Sequence, residues 1–288
     1  MIITRLKGGL GNQLFQYVAG FRVASKYNEQ LKLDVTGYEN PKHMNSDTPR
    51  KYRLHAFNLS FGVATSDEAM KARNPLGLFS KVLRAFNQKI LKKNYIDYHP
   101  EFFKKKHSYI EGYFQSEKNF EGIEDKISKE FQLKKEFESE SFLFEKNKID
   151  KNKSVSVHVR RGDYANDKTT NNYFGTCSLE YYKQAMDYME SKVQNPVYYF
   201  FSDDIEWVKK KFGLQDNYIF VSNPKLEDYE ELILMSICSH NIIANSSFSW
   251  WGAWLNNNPN KIVIAPKKWV NVEPNPNPNI IPEGWVTI

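Results

Sequence analysis

Cysteine is nearly missing from this chain: Cys177 and Cys238 stand far apart, with no CxxC spacing. That removes a disulfide framework and a cysteine-based zinc site. No stretch approaches about 18 consecutive apolar residues, so none reads as a membrane-spanning helix. The opening MIITRLKGGLG lacks the apolar run of a signal peptide, which makes the cytoplasm the expected compartment. The lysines at 104–106, 134–135 and 209–211 lack the interleaved arginines and aromatics of a nucleic-acid groove, so no nucleic-acid partner is expected. Peripheral association with the inner face of the cytoplasmic membrane, through those lysines, stays open.

The chain has 288 residues, 41% of them hydrophobic and 15% aromatic, enough for two folded domains. A formal net charge of +6 is mild and favours anionic partners such as nucleotides.

Residues 1–34 read as a β-loop-α-β unit: strand MIITRL, turn KGGLGN, a helix with Leu14, Tyr17, Val18 and Phe21 on one face, and strand LKLD. Gly9 and Gly11 permit a close approach to the helix start, and Asn12 can both donate to and accept from hydroxyls. The spacing GGLGN is neither GxGxxG nor a P-loop, so a plain strand-to-helix turn is an equal reading. Residues 35–65, with Pro41, His43 and Pro49, read as an irregular excursion. A helix follows with Phe79, Val82, Leu83, Phe86 and Ile90 on one face, expected as packing. SYIEGYFQSEKNF reads as a short strand ending at Gln115, which places Glu111 and Gln115 near its tip. A lysine- and glutamate-rich linker then closes a first domain at 1–150.

From 151 to 270, strands of four to six residues alternate with helices, the pattern of a parallel sheet covered on both faces. A tail at 271–288, rich in Pro and Asn, is expected on the surface, with a return to the first domain as one course. Three strand tips of the second domain carry polar groups: HVRRGD with His158, Arg160, Arg161 and Asp163; FFSDD with Ser202 expected at the start of the next helix and Asp203 and Asp204 in its first turn; and NSSFSWWGAWL with Asn245, Ser246 and Ser247. Two adjacent arginines at a strand end need anionic partners. Hydroxyls at a helix start form a second anion site, so together the tips suit a diphosphate. The aspartates read as ribose or base contacts, as helix caps or as a Mg²⁺ ligand pair, and paired arginines can neutralise a leaving diphosphate without a metal. Trp250 and Trp254 can share a helix face, with Trp251 directed elsewhere.

These segments give the sequence a specific resemblance. GGLGNQLFQY (8–17), GYFQSEKNF (112–120), HVRRGDY (158–164), FSDD (201–204) and NSSFSWWGAWL (245–255) are similar, in order, to the bacterial α-1,2-fucosyltransferases of glycosyltransferase family 11. The resemblance implies an α/β, GT-B-like fold of two Rossmann-type domains facing across a cleft. It implies GDP-L-fucose as donor, a galactose-terminated glycan acceptor, inversion at the fucose carbon, and no cofactor or obligatory metal. It places Arg160 and Arg161 on the diphosphate, His158 and Asp203 or Asp204 on guanosine, and Ser246 and Ser247, with Asn245 before them, near the phosphates. Gly9, Gly11 and Asn12 line the other side. Asp163 and Glu111 are the acids available as a base. Transfer of a different nucleotide sugar, or nucleotide or glycan binding without turnover, are the alternatives.

Overall fold

The computed structural model describes residues 1–39, 50–89, 95–149 and 153–288. The chain divides into two compact units, Met1–Phe131 with Pro276–Pro282, and Gln132–Asn275 with Glu283–Ile288. The boundary expected at 150/151 lies outside the described residues, as do Pro41, His43, Pro49 and Ile90. The helix Glu140–Ile149 belongs with the second unit, and the tail segment Pro276–Pro282 with the first.

The first unit is a four-stranded sheet in the order β3-β2-β1-β4, built from β1 (Ile2–Arg5), β2 (Leu31–Asp34), β3 (Gly62–Val63) and β4 (Tyr109–Ile110), with all pairs parallel. Parallel neighbours need a crossover, and the helix Leu10–Lys26 supplies it between β1 and β2. Leu14, Tyr17 and Val18 of its predicted stripe are wholly buried. A Cβ on Gly20 would stand 2.1 Å from Thr4 Oγ1, so glycine is what lets the helix lie this close to β1.

The second unit holds a six-stranded parallel sheet in the order β10-β9-β8-β5-β6-β7: β5 (Ser154–Val159), β6 (Val197–Ser202), β7 (Tyr218–Phe220), β8 (His240–Ile242), β9 (Val263–Ala265) and β10 (Val286–Thr287). The chain runs outward through β5, β6 and β7, then returns beside β5 to build β8, β9 and β10. This is the doubly wound Rossmann order, whose direction reverses between β5 and β8. Both units are thus parallel α/β sheets of the GT-B type.

The alternation along β5 explains its two faces. Val155, Val157 and Val159 join a core with Tyr182, Ala185 and Met189 of the helix Leu179–Lys192. Ser154, Ser156 and His158 are buried on the opposite face, where Ser156 Oγ accepts from Asn241 Nδ2 at 2.7 Å.

Four local expectations differ from the structure. The strand expected to run to Gln115 stops at Ile110, because the chain turns to donate from Tyr113, Phe114 and Gln115 to the carbonyls of Tyr95 and Ile96, with Phe114 at φ 53°. Ser202 ends β6 and does not start the next helix; its Oγ accepts from Asp204 N at 3.0 Å, and Asp204 is the cap. Trp250 and Trp251 are both fully buried, so they are core. Trp250 lies against Trp254 at 6.3 Å and Trp285 at 5.6 Å. Finally, the stripe of the helix Leu78–Lys89 expected to pack is exposed at Phe79, Val82, Leu83 and Phe86.

Candidate functional site

In the second unit the three polar tips follow strands that run the same way, so they share the carboxyl edge of one sheet. Residue pairing brings Val159 beside Ser202, which sets the first two tips side by side. The tips of β5 and β8 flank the point where strand order reverses, the place where open α/β sheets bind ligands.

Arg160 and Arg161 leave β5 on either side of a pair of aspartates. Arg160 Nη1 lies 2.7 Å from Asp203 Oδ2, and Nη2 donates to Asp163 Oδ1. Burial opposes the charge of Arg160, but Asp203, Asp163 and Tyr164 outweigh it, so its pKa lies above the ordinary arginine value. Arg161 donates from its backbone N to Asp203 Oδ1 at 2.8 Å and from Nε to Asp204 Oδ2 at 3.3 Å. Its guanidinium carbon sits 3.7 Å from the centre of the Trp207 ring, a close cation–π contact. The other Asp204 oxygen accepts from Trp207 N at 3.3 Å and caps the helix Ile205–Phe212. A guanidinium carries five N–H donors, so these aspartates orient each arginine without exhausting it.

Gly162 belongs to the same construction. A Cβ there would stand 2.3 Å from Asp203 Oδ2, so only glycine leaves room for the carboxylate that holds both arginines.

His158 points to the other face of β5, where its ring lies 5.5 Å from that of Phe248. It is 4% exposed, and Nδ1 is buried without a hydrogen-bond partner. Burial, helped by Arg160, pushes its pKa down to about 3, so the ring is neutral at pH 7. A neutral imidazole with an open nitrogen is suited to exchange a hydrogen bond with an uncharged polar group.

At the third tip, Ser246 is the N-cap of the helix Ser247–Trp254, with Ser247 its first residue. The side chain of Asn245 is spent on the chain itself: Nδ2 donates to the carbonyls of Phe174 at 3.0 Å and Trp269 at 3.1 Å, and Oδ1 accepts from Cys177 Sγ. It anchors the tip to two neighbouring loops.

Sequence reasoning passed over Glu231. This glutamate on the helix Asp228–Ile237 keeps part of its side chain at the surface, yet its carboxyl is withdrawn from water. Burial, opposed by a hydrogen bond with Ser222 and reinforced by the charges of Asp228 and Asp203, pushes its pKa up to about 8. In YEELILMS it looks like one more helical acid, and no spacing signal distinguishes it from Glu230.

The first unit gathers the remaining residues. Gly9 is the N-cap of the helix Leu10–Lys26, so Gly11 and Asn12 lie in its first turn and not in the preceding loop. Gly8, at φ 83°, makes the tight turn, and its carbonyl accepts from Tyr38 Oη at 2.9 Å and Gln13 Nε2 at 3.1 Å. A Cβ on Gly9 would meet nothing within 4 Å. Asn12 Oδ1 accepts from Gln115 Nε2 at 2.7 Å, and Gln115 Oε1 accepts from Asn277 Nδ2 at 3.2 Å. Glu111 sits between Arg5 at 2.6 Å and Arg73 at 3.2 Å. Among the described residues no group of three or more His, Cys, Asp or Glu side chains could hold a metal ion.

The sequence profile of glycosyl transferase family 11 matches residues 71–288. The chain is 33% identical to the O-antigen biosynthesis glycosyltransferase WbnK of Escherichia coli, over 92% of this chain and 93% of that one. It is 32% identical to an α-1,2-colitosyltransferase of Escherichia coli, over 100% of this chain and 99% of that one. Its fold is similar to that of the fucosyltransferase NodZ from Bradyrhizobium, with a TM-score of 0.51 at 13% identity, covering 87% of this chain and 91% of NodZ.

Proposed function

The chain belongs to glycosyl transferase family 11, and from that premise we propose that it transfers L-fucose from GDP-β-L-fucose to O2 of a terminal galactose, with inversion, in a surface glycan such as an O-antigen. The observation that carries the reading is the pair of oriented arginines at the β5 tip, beside the reversal point of a Rossmann sheet. The motifs shared with α-1,2-fucosyltransferases support the donor, and the α-1,2 linkage in the name of a relative that matches along the whole chain supports the position.

In this reading the acceptor O2 forms a bond to fucose C1 as the C1–O bond to the diphosphate breaks, and GDP leaves with the electron pair. Charge grows on the diphosphate as that bond lengthens, so Arg160 and Arg161 act most strongly in the transition state. A phosphate is held at the start of the helix Ser247–Trp254, against Ser246 and Ser247. The neutral His158 faces the nucleoside, and the enclosed carboxyl of Glu231 joins Asp203 and Asp204 as a group able to read it. In the first unit, Gly9 leaves open space beside the start of the helix Leu10–Lys26, where Asn12 is the group suited to a sugar hydroxyl.

The proton of the acceptor hydroxyl passes to Asp163 or Glu111. Both carboxylates are paired with arginine, so accepting it means loosening an ion pair. Transfer is therefore late, once O2 has begun to bond to the electron-poor C1 and its proton has become acidic, and little base strength is required.

A colitosyl donor is the second reading, favoured by the full-length relative. The test is turnover of GDP-fucose, with the GDP-colitose analogue in parallel, on a galactose-terminated oligosaccharide, and NMR assignment of the product linkage. A through-bond correlation from fucose H1 to galactose C2 is expected. Turnover of the colitosyl donor alone would replace the donor, and linkage to another carbon would replace the position. Stoichiometric GDP binding without turnover across many galactosides would favour a binding protein. The compartment we propose is the cytoplasm.

A further inference from the structure

The helix Leu78–Lys89 presents an apolar face that the described structure leaves uncovered. Leu78 is 78% exposed, Phe79 60%, Val82 65%, Leu83 43% and Phe86 47%, with Leu76, just before the helix, at 65%. Spacings of three and four put Phe79, Val82, Leu83 and Phe86 on one stripe, with the positions of Lys81 and Arg84 opposite. Single exposed apolar residues are ordinary in folded proteins, whereas a contiguous stripe containing two phenylalanines marks a contact surface. Elsewhere among the described residues no such stripe occurs in the exposed large apolar side chains: Leu143 and Phe144 form a single adjacent pair, and Leu179 and Leu214 stand apart.

The charge around the stripe says what that contact is. From Ala69 to Ile96 the sequence contains no Asp or Glu, while Lys71, Lys81, Arg84, Lys89, Lys92 and Lys93 are all cationic. A second copy of this chain packed stripe to stripe would cover the apolar residues but bring up the same segment, which holds no Asp or Glu to meet those cations. An anionic bilayer meets both features: the stripe enters the boundary between headgroups and acyl chains, and the cations meet lipid phosphates. We propose that the helix Leu78–Lys89 is a membrane-docking helix that holds the protein on an anionic phospholipid surface. No helix among the described residues is long and apolar enough to cross a membrane, and docking by one face needs none. The proposal is independent of which sugar is transferred, because vesicle binding is read without donor or acceptor.

The experiment is flotation of the full chain with vesicles of phosphatidylethanolamine and phosphatidylglycerol at three to one, and with phosphatidylcholine alone. Binding to the anionic vesicles at least tenfold tighter than to phosphatidylcholine is expected, weakening as salt rises. F79S/F86S should lose at least tenfold in vesicle affinity, while its Tm and its turnover of a soluble oligosaccharide match the parent. K81E/R84E, which keeps the apolar stripe, should lose the preference for anionic lipid. Equal vesicle binding by F79S/F86S and parent would overturn the proposal. So would a salt-independent dimer, seen by sedimentation, that F79S/F86S converts to monomer. A Tm lowered by several degrees in F79S/F86S would assign the stripe to the protein's own core and overturn it as well.

Discussion

Asp203 grips Arg160 by the side chain, Oδ2 to Nη1 at 2.7 Å, and with its other oxygen it accepts from the backbone N of the next residue, Arg161, at 2.8 Å. One carboxylate just after β6 therefore fixes the guanidinium of Arg160 and the backbone of Arg161 at the end of β5. Its own position depends on Gly162, whose missing side chain leaves the space that Oδ2 occupies.

Gly162→Ala tests that dependence. The new Cβ would stand 2.3 Å from Asp203 Oδ2, so the carboxylate must shift and both arginines lose their common anchor. Misplacement on the order of 1 Å costs about 100-fold in well-oriented reactions, and a fall in kcat/KM of that size is expected with Tm nearly unchanged. Because both changes act through one carboxylate, G162A/D203A should be little worse than D203A alone. Additive losses in steady-state kinetics would show that Gly162 matters for another reason.

Arg160→Lys separates charge from geometry. Lysine keeps the positive charge but not the planar fork that meets Asp163 and Asp203 together. Loss of an oriented donor to a developing anion costs about 100- to 1,000-fold in kcat, and lysine should recover little of it. Arg22→Lys, where the arginine pairs with the exposed Glu121, should be silent. Near-parental kcat in Arg160→Lys would reduce Arg160 to a point charge.

His158 gives stability an acid limb. In the unfolded chain an imidazole takes its proton near 6.5, while in the folded site it does so only near 3. Between those values the unfolded state binds more protons, so this contribution is complete above pH 6.5 and is lost as pH falls, by about 1.4 kcal/mol per unit. Urea melts of His158→Gln from pH 5 to 6.5 should lack that limb. If the variant and the parent have the same slope there, His158 is not neutral in the fold.

The strands and tips of the second unit were legible because buried parallel strands leave a plain record, four to six β-branched or aromatic residues ending in charge. Val155, Val157 and Val159 show it most clearly. What could not be read is where side chains spend their hydrogen bonds. Asn245 resembles a ligand contact in sequence but gives its amide to Phe174 and Trp269, nearby only through the fold. The placement of the Trp cluster, and of Phe79 and Phe86, escaped for a related reason. Periodicity identifies a stripe, but what covers it depends on distant parts of the chain, and Trp285 closes over Trp250 where nothing described closes over Phe79.

Glu231 supplies the opposite limb. Its carboxyl holds a proton to about pH 8 in the fold, against 4.5 when unfolded, so between those values the folded state binds more protons. Its contribution is complete below about pH 4.5 and is lost as pH rises through 8. The limbs of His158 and Glu231 overlap from 4.5 to 6.5 with opposite signs. The parent should therefore be nearly flat there as far as these groups go, and should decline from 6.5 to 8. In urea melts Glu231→Gln should remove the decline and leave a rise up to pH 6.5, whereas His158→Gln should decline across the whole window. If Glu231 also reads the nucleoside, GDP affinity measured by calorimetry will fall in Glu231→Ala by about tenfold, the loss of one hydrogen bond at a buried site. An unchanged GDP affinity together with the altered pH profile would leave Glu231 a purely structural acid beside Asp203.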